Sequence, residues 1–175
     1  MNATWIEQTE AFLKQKLDSG AYLNANPQAK AYRLEHSYRV ANIGRQIARM
    51  EGFDETEIVI TCLLHDVSYC EEFGENGWKE HGRRSAAIAR PFLKELGLAA
   101  DRIEDICYGI AIHVDDEADF PGERTPFALS VGTRITSTAL TPIASTKRCP
   151  MTSSWSCLLT QSRTMSQNGS PVWGN

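Results

Sequence analysis

One nearly unbroken apolar run that ends in two ionisable residues decides the fold: Ile58-Val59-Ile60-Thr61-Cys62-Leu63-Leu64-His65-Asp66. Just before it, Asp54 and Glu57 stand three residues apart, a pattern typical of a helix N-terminus. The helix that they open is apolar on nearly all sides, which predicts a central, buried position. Burying His65 and Asp66 unpaired would be costly, and a divalent cation removes that cost because a neutral imidazole and a carboxylate both bind it. Successive helical side chains point about 100° apart, so the two can share an ion only where the helix ends.

Apolar residues at helical spacing predict further helices on both sides of this run. They cover residues 4–18, about 31–50, 83–96, 103–113 and, as a short helix, 127–131. Residues 22–27 and 70–80 are expected to be connectors, the second because it is rich in glycine and charge. The pair Asp101 and Glu104 repeats the N-terminal pattern and is expected to open the helix at 103. With no hairpin signal and no alternating run, the predicted fold class is all-α.

Composition narrows the class of protein. The 175 residues, 42% apolar and 23% charged, suit one ordinary domain with or without a tail. A net charge of −4 provides no electrostatic surface for duplex nucleic acid or an anionic membrane, and no apolar run could span a bilayer. The first residues lack the basic and apolar pattern of a secretory signal, so none is expected, and the five cysteines form no CxxC pair. Reduced thiols and a cytoplasmic location are therefore expected.

Acidic residues stop abruptly along the chain. None of the 22 lies after Glu123, and residues 133–175 hold 16 Ser or Thr among 43 positions. We therefore expect a helical domain over residues 1–132 and an irregular tail over 133–175. The tail is either a disordered Ser/Thr-rich segment or a stretch translated in a non-native frame.

Four short segments resemble the HD-domain metal-dependent phosphohydrolases. They are Glu35-His36-Ser37-Tyr38-Arg39-Val40, Leu63-Leu64-His65-Asp66-Val67, Glu80-His81-Gly82-Arg83-Arg84-Ser85-Ala86 and Ile110-Ala111-Ile112-His113. The resemblance covers about residues 30–132, and the order, spacing and helical context of the segments agree with it. It implies a helical bundle with a central metal site. It also implies a hydrolase that acts on the ester or anhydride bonds of a nucleotide or another phosphate ester.

The same resemblance implies a set of metal ligands. A divalent cation (Mn, Fe, Co, Ni, Zn or Mg) would be held by His36, His65 and Asp66, and a metal-activated water would attack phosphorus. His65 and Asp66 are thus the expected catalytic centre. His81 and His113 match positions of further metal ligands or phosphate contacts. Whether they act so, or only support the first ligands, stays open at this point.

Basic side chains near these segments are candidate phosphate contacts. They are Arg39, Lys79, Arg83 and Arg84. Arg39 lies three residues after His36 on the same helical face, where it meets either phosphate or a buried acid. The other three flank His81 and equally suit a solvated helix start. The expected partner is a small phosphorylated substrate, with neither duplex nucleic acid nor membrane involved; assembly into a homo-oligomer is left open.

The family's last metal carboxylate is missing from its expected place. An Asp-Ala-Asp-x-x-Asp-like helix should supply it, but the sequence there reads Val131-Gly132-Thr133-Arg134-Ile135. Regrouping the bases from codon 132 to codon 148 by one position allows Asp-Ala-Asp-Asn-Ile-Asp-Arg-Phe-Asp-Ala-Tyr-Arg-Ile-Tyr-Glu-Ala-Leu. We therefore hypothesise a one-base frameshift near codon 132, which sequencing of the encoding DNA tests. Two functions remain: a phosphohydrolase impaired by the missing Asp, or a non-catalytic domain that binds metal or nucleotide.

Overall fold

Helices account for all of the regular structure in the residues that the computed structural model describes. These are residues 4–73, 77–114 and 120–135, without the side chains of residues 78, 79 and 133–135. The helices are α1 (Trp5–Ser19), α2 (Ala21–Ala25), α3 (Pro27–Glu51), α4 (Glu55–Leu64), α5 (Gly77–Glu95), α6 (Ala100–Ile112) and α7 (Pro126–Leu129). A 3₁₀ turn spans Val67–Cys70, and a π-helical turn spans Ser130–Ile135. Since the described ranges contain no strand, the predicted all-α class is confirmed.

Helix α4 occupies the centre of the bundle, as its sequence predicts. All of its residues from 58 to 64 are buried, and α1, α3, α5 and α6 contact it. The carboxylate of Asp54 accepts a hydrogen bond from the backbone N–H of Glu57 at 3.0 Å, which confirms Asp54 as the N-cap. The expected return contact from Glu57 is wrong, because the carboxylate of Glu57 binds Arg102 instead. Each fully buried Leu or Ile contributes about 1.5–3 kcal/mol relative to an exposed one. Packing, rather than local helix propensity, therefore holds this short helix in place.

Two predicted connectors are wrong, because helices extend into them. Helix α2, Ala21–Ala25, occupies most of the expected connector 22–27 and is too short to show a helical period. Helix α5 begins at Gly77, six residues before the predicted start. Tertiary hydrogen bonds secure its first turns: the Ser68 hydroxyl donates to the carbonyl of His81 at 2.9 Å, and the Ser85 hydroxyl accepts from the Ser68 backbone at 3.1 Å.

The N-terminus of α6 also differs from its prediction. The helix begins at Ala100 after an N-cap at Ala99, so Asp101 lies in the first turn and does not cap it. There its charge interacts favourably with the helix dipole. Glu104, the expected second member of the cap, instead pairs with Arg90 of α5. In α4 the carboxylate of Glu57 is likewise bound to Arg102 of α6, which ties the two helices together.

The described residues all fall within one compact unit, Met1–Pro142. The predicted domain boundary at residue 132 stays a prediction, since residues 136–175 lie outside the described part. Across the described residues, no helix has both the length and the apolar character needed to cross a membrane.

Candidate metal centre

All four histidines of the chain converge on the carboxylate of Asp66. Its Oδ2 atom lies 3.5 Å from Nε2 of His36 and 3.5 Å from Nε2 of His65. Its Oδ1 atom lies 3.2 Å from Nε2 of His81 and 3.4 Å from Nε2 of His113. The resulting cluster contains two groups able to hold an ion, one on each carboxylate oxygen. The structure thus brings together all five residues that the sequence marks as metal ligands.

The ends and faces of four helices bring these side chains together. His36 lies on α3, His65 and Asp66 follow the last residue of α4, His81 lies in α5, and His113 follows α6. Because α4 ends at Leu64, the backbone leaves the helix between the two neighbouring ligands. This is the geometry that a shared ion requires of consecutive residues.

Backbone carbonyls fix the orientation of two imidazole rings. Nδ1 of His65 lies 2.7 Å from the carbonyl oxygen of Cys62, and Nδ1 of His113 lies 2.7 Å from that of Ile110. A carbonyl oxygen only accepts hydrogen bonds, so both Nδ1 atoms carry the hydrogen. The Nε2 atoms of both rings are thereby turned toward Asp66, with Nδ1 anchored on the backbone, which is the arrangement found behind metal-binding histidines.

His36 has a different partner at Nδ1. The guanidinium nitrogen Nη2 of Arg39 lies 3.2 Å from it. Since a guanidinium only donates, this contact places the proton of a neutral His36 on Nε2, the atom that faces Asp66. The structure therefore places Arg39 against His36, and its predicted contact with substrate phosphate stays a prediction.

Burial and charge set the protonation of the cluster. Burial lowers the pKa of His65 to about 4 and also lowers the pKa of His36. For Asp66, burial favours the protonated form. The neighbouring His65 and hydrogen bonds from His113 and His81 outweigh burial, and the pKa of the Asp66 carboxyl lies well below its usual range. Neutral imidazoles around an ionised carboxylate are the state that binds a cation.

The donor set fits a divalent transition metal. Imidazole nitrogens suit zinc, iron, nickel and their neighbours, and a carboxylate also suits manganese and magnesium. Asp66 has a side chain only 6% exposed, so its charge is shielded from solvent and is faced by four rings. A buried charge of this kind is stabilised when a cation joins it.

Arg33 is the residue of this site that the sequence analysis missed. Its Nη1 atom lies 3.3 Å from Oδ2 of Asp66, and its guanidinium lies 3.3 Å from the centre of the Tyr69 ring. Arg33 precedes His36 by three residues and so shares its face of α3. The spacing that singles out Arg39 on one side of His36 would have found Arg33 on the other.

The other predicted phosphate contacts have acidic or aromatic neighbours. Arg83 donates to Glu80 at 3.1 Å, and Arg84 lies 3.7 Å from Glu71 and 5.5 Å from the centre of the Phe73 ring. The side chain of Lys79 lies outside the described part of the chain. The role of these three residues toward phosphate stays a prediction.

Comparison with known families agrees with the bundle and its buried cluster. The HD domain family model matches residues 33–135, a range that includes His36, His65, Asp66, His81 and His113. The match covers more than half of the chain, and the chain belongs to the HD domain family. The HD domain indicates the superfamily of metal-dependent phosphohydrolases, and the His and Asp groups able to hold an ion agree with it. No curated protein and no solved structure matches the chain.

Proposed function

We propose that the chain is a metal-dependent phosphohydrolase that acts on a nucleotide or another phosphate ester. The observation that carries the proposal is the Asp66 carboxylate, each oxygen of which faces two imidazole nitrogens. His36 and His65 would hold one cation with Oδ2, and His81 and His113 a second with Oδ1. The latter two are therefore assigned as ligands in preference to supporting roles.

The chain's own residues prepare this site for a phosphate group. When bound, a divalent cation supplies charge that polarises a phosphoryl oxygen and lowers the pKa of water toward neutrality. The carboxylate of Asp66 balances that charge. The hydrogen bond from Nδ1 of His65 to the Cys62 carbonyl holds the His65 ring in position. Arg33, which contacts Asp66, would also donate to a phosphate oxygen. Its charge would stabilise the negative charge that spreads over the phosphoryl oxygens as the ester bond breaks.

Hydrolysis assays with added metal test the proposal. We expect weak release of phosphate from p-nitrophenyl phosphate or from a nucleotide panel with Mn²⁺, Co²⁺, Ni²⁺ or Mg²⁺. EDTA and the substitution Asp66→Asn should each abolish it. Glu95→Gln, an exposed change on α5, is the matched control and should leave the rate unchanged. Hydrolysis that survives in Asp66→Asn would contradict the proposal.

The alternative is a non-catalytic domain that binds metal or nucleotide. It is favoured by the donor set, because Asp66 is the one carboxylate in both ligand groups found among the described residues. Metal binding by the wild-type chain without hydrolysis under any of the four metals would favour this alternative.

We also infer a changed reading frame near codon 132, which would explain the missing carboxylate. The support is the regrouped sequence Asp-Ala-Asp-Asn-Ile-Asp, which supplies acids after α7. A chain expressed in the regrouped frame should bind metal more tightly and hydrolyse faster than the present one. Encoding DNA whose codons cannot be regrouped in this way would remove the inference.

A further inference from the structure

A cavity of about 580 Å³ lies beside the metal centre. Among the described residues, its wall contains aromatic rings, the guanidinium of Arg33 and acidic side chains; it includes Tyr22, Tyr32, Arg33, Tyr69, Glu72 and Phe73. This volume falls within the range of sites that bind small molecules, and such sites are commonly lined by aromatic side chains with a few polar groups.

Wall residues of this cavity are in direct contact with the metal centre. Arg33 lies between the two, because its guanidinium contacts Asp66 on one side and the Tyr69 ring on the other, each at 3.3 Å. The ring of Tyr32 is nearly parallel to that of His36, with an angle of 15° and 6.0 Å between ring centres. The ring centre of Tyr69 is 5.1 Å from that of His81. A phosphate ester bound through Arg33 would therefore extend along these aromatic rings.

Charge changes sign across the cavity. The side chain of Arg33 is 26% exposed and lies next to the buried Asp66, whereas that of Glu71 is 48% exposed and lies 3.7 Å from Arg84, which pairs with it. Glu72 is exposed as well and lines the same cavity. The cation thus lies at the inner end and the carboxylates on the solvent side. One phosphate is attracted inward, and further phosphates inside the cavity meet like charge.

We propose that this cavity binds the leaving group of a phosphate monoester, and that this group carries a flat, uncharged ring system, as in a nucleoside monophosphate. Tyr32 stacks on the ring. Glu72 discriminates against substrates with additional phosphates and accepts hydrogen bonds from hydroxyl or amino groups. The inference rests on the proposed function for the position of the phosphate, and it makes Tyr32 and Glu72 specificity-determining residues.

Ligand titration of the full chain by calorimetry, in Mn²⁺ and in EDTA, tests the proposal without requiring turnover. Adenosine monophosphate should bind about tenfold more tightly than glycerol 3-phosphate and about fivefold more tightly than adenosine diphosphate. Tyr32→Ala should remove the first preference, lowering adenosine monophosphate affinity about tenfold and leaving glycerol 3-phosphate unchanged. Glu72→Lys should remove the second preference. The controls Trp5→Ala and Glu95→Lys change an exposed aromatic and an exposed acid outside the cavity wall.

The outcomes separate this proposal from the proposed function. Equal affinity for adenosine monophosphate and glycerol 3-phosphate, or unchanged affinities in Tyr32→Ala and Glu72→Lys, would overturn the cavity assignment. Metal-dependent hydrolysis of both monoesters at the same kcat/KM would retain the phosphohydrolase and also overturn the assignment. The expected binding preferences without any hydrolysis would support the cavity assignment and remove the proposed function.

Discussion

A Cβ atom on Gly82 would lie 2.6 Å from the carbonyl oxygen of Ala111, so the backbones of α5 and α6 are in contact at this point. The same Cβ would lie 3.0 Å from the carbonyl oxygen of Ile110 and 3.2 Å from Nδ1 of His113. The Ile110 carbonyl also accepts the hydrogen bond that orients the His113 ring. Close approach of the two helices and correct presentation of His113 are therefore one structural requirement.

Gly82→Ala should destabilise the protein, although alanine is the better helix former. Helix propensity alone would stabilise the variant by about 1 kcal/mol. The contact with backbone atoms cannot relax by side-chain rotation, so we expect a net loss of about 1–3 kcal/mol. Urea unfolding in EDTA measures this, and metal affinity at the His81 and His113 side should fall with it. A more stable variant would show that the helices are not in contact here.

Local sequence was sufficient for the central helix and its two ligands. The apolar run predicts α4, and its end at Leu64 explains how His65 and Asp66 share a site. The missed features depend on contacts distant in sequence. The first turns of helix α5, before the predicted start, include the carbonyl of His81. It accepts a hydrogen bond from the Ser68 hydroxyl across the intervening turn, a contact that the glycine- and charge-rich composition cannot reveal.

The position of Arg33 shows the same limit in the site. Its spacing from His36 was readable, but its contact with Asp66 joins residues 33 positions apart. Arg33 and Arg39 each stand three residues from His36. The packing of α3 on α4 decides which of the two contacts the Asp66 carboxylate. The cavity beside Arg33 was equally hidden, because its lining comes from α2, α3 and the segment after α4.

Removing one histidine from each side of Asp66 should remove one ion at a time. His36→Ala leaves Asp66, His81 and His113 together, and His81→Ala leaves the group on Oδ2. We expect each variant to bind one fewer Mn²⁺ than the wild type, counted by elemental analysis after dialysis. Asp66→Asn should lose both ions, because Asp66 belongs to both ligand groups. Glu95→Ala, outside the cluster, should keep the wild-type count. Identical counts in His81→Ala and the wild type would show that Oδ1 holds no ion.

Acid should destabilise the metal-free protein through His65. Burial lowers its pKa from 6.5 to about 4 in the folded chain. As pH falls through about 6.5 toward about 4, the unfolded chain therefore takes up a proton that the folded chain does not. The pKa of His36 is lowered in the same direction, and the stabilisation from Asp66, whose pKa is also lowered, is lost only at still lower pH.

The free energy of unfolding in EDTA should thus fall by about 2–4 kcal/mol between about pH 7 and pH 4. Urea titrations at several pH values measure it. His65→Gln removes the titrating ring and should show a clearly weaker dependence on pH over this range. An equal slope in that variant would assign the acid sensitivity to other groups.

Arg39→Gln should strengthen metal binding at His36, because the contact of Arg39 with the His36 ring opposes it. The guanidinium donates to Nδ1 of His36 and so keeps the proton on Nε2, where a cation must bind. Its own Nε is buried and has no hydrogen-bond partner among the described residues, so the present arrangement carries a cost of about 1–3 kcal/mol. Glutamine can accept a hydrogen bond from Nδ1 and carries no charge. We expect Mn²⁺ affinity at the His36 side to rise about fivefold.

Competition of the protein with a fluorescent chelator measures this affinity, with Arg49→Gln on the exposed side of the same helix as the control. The kcat/KM for a phosphate ester separates the two roles open to Arg39. A residue that only opposes metal binding leaves kcat/KM at saturating Mn²⁺ unchanged when replaced, because the proton on His36 has then already moved. A residue that binds substrate phosphate lowers kcat/KM at every metal concentration. The Arg39 guanidinium disfavours a cation at Nε2 of His36 both by its positive charge and by its hydrogen bond to Nδ1. Weaker Mn²⁺ binding by Arg39→Gln would therefore contradict the proton position assigned to His36.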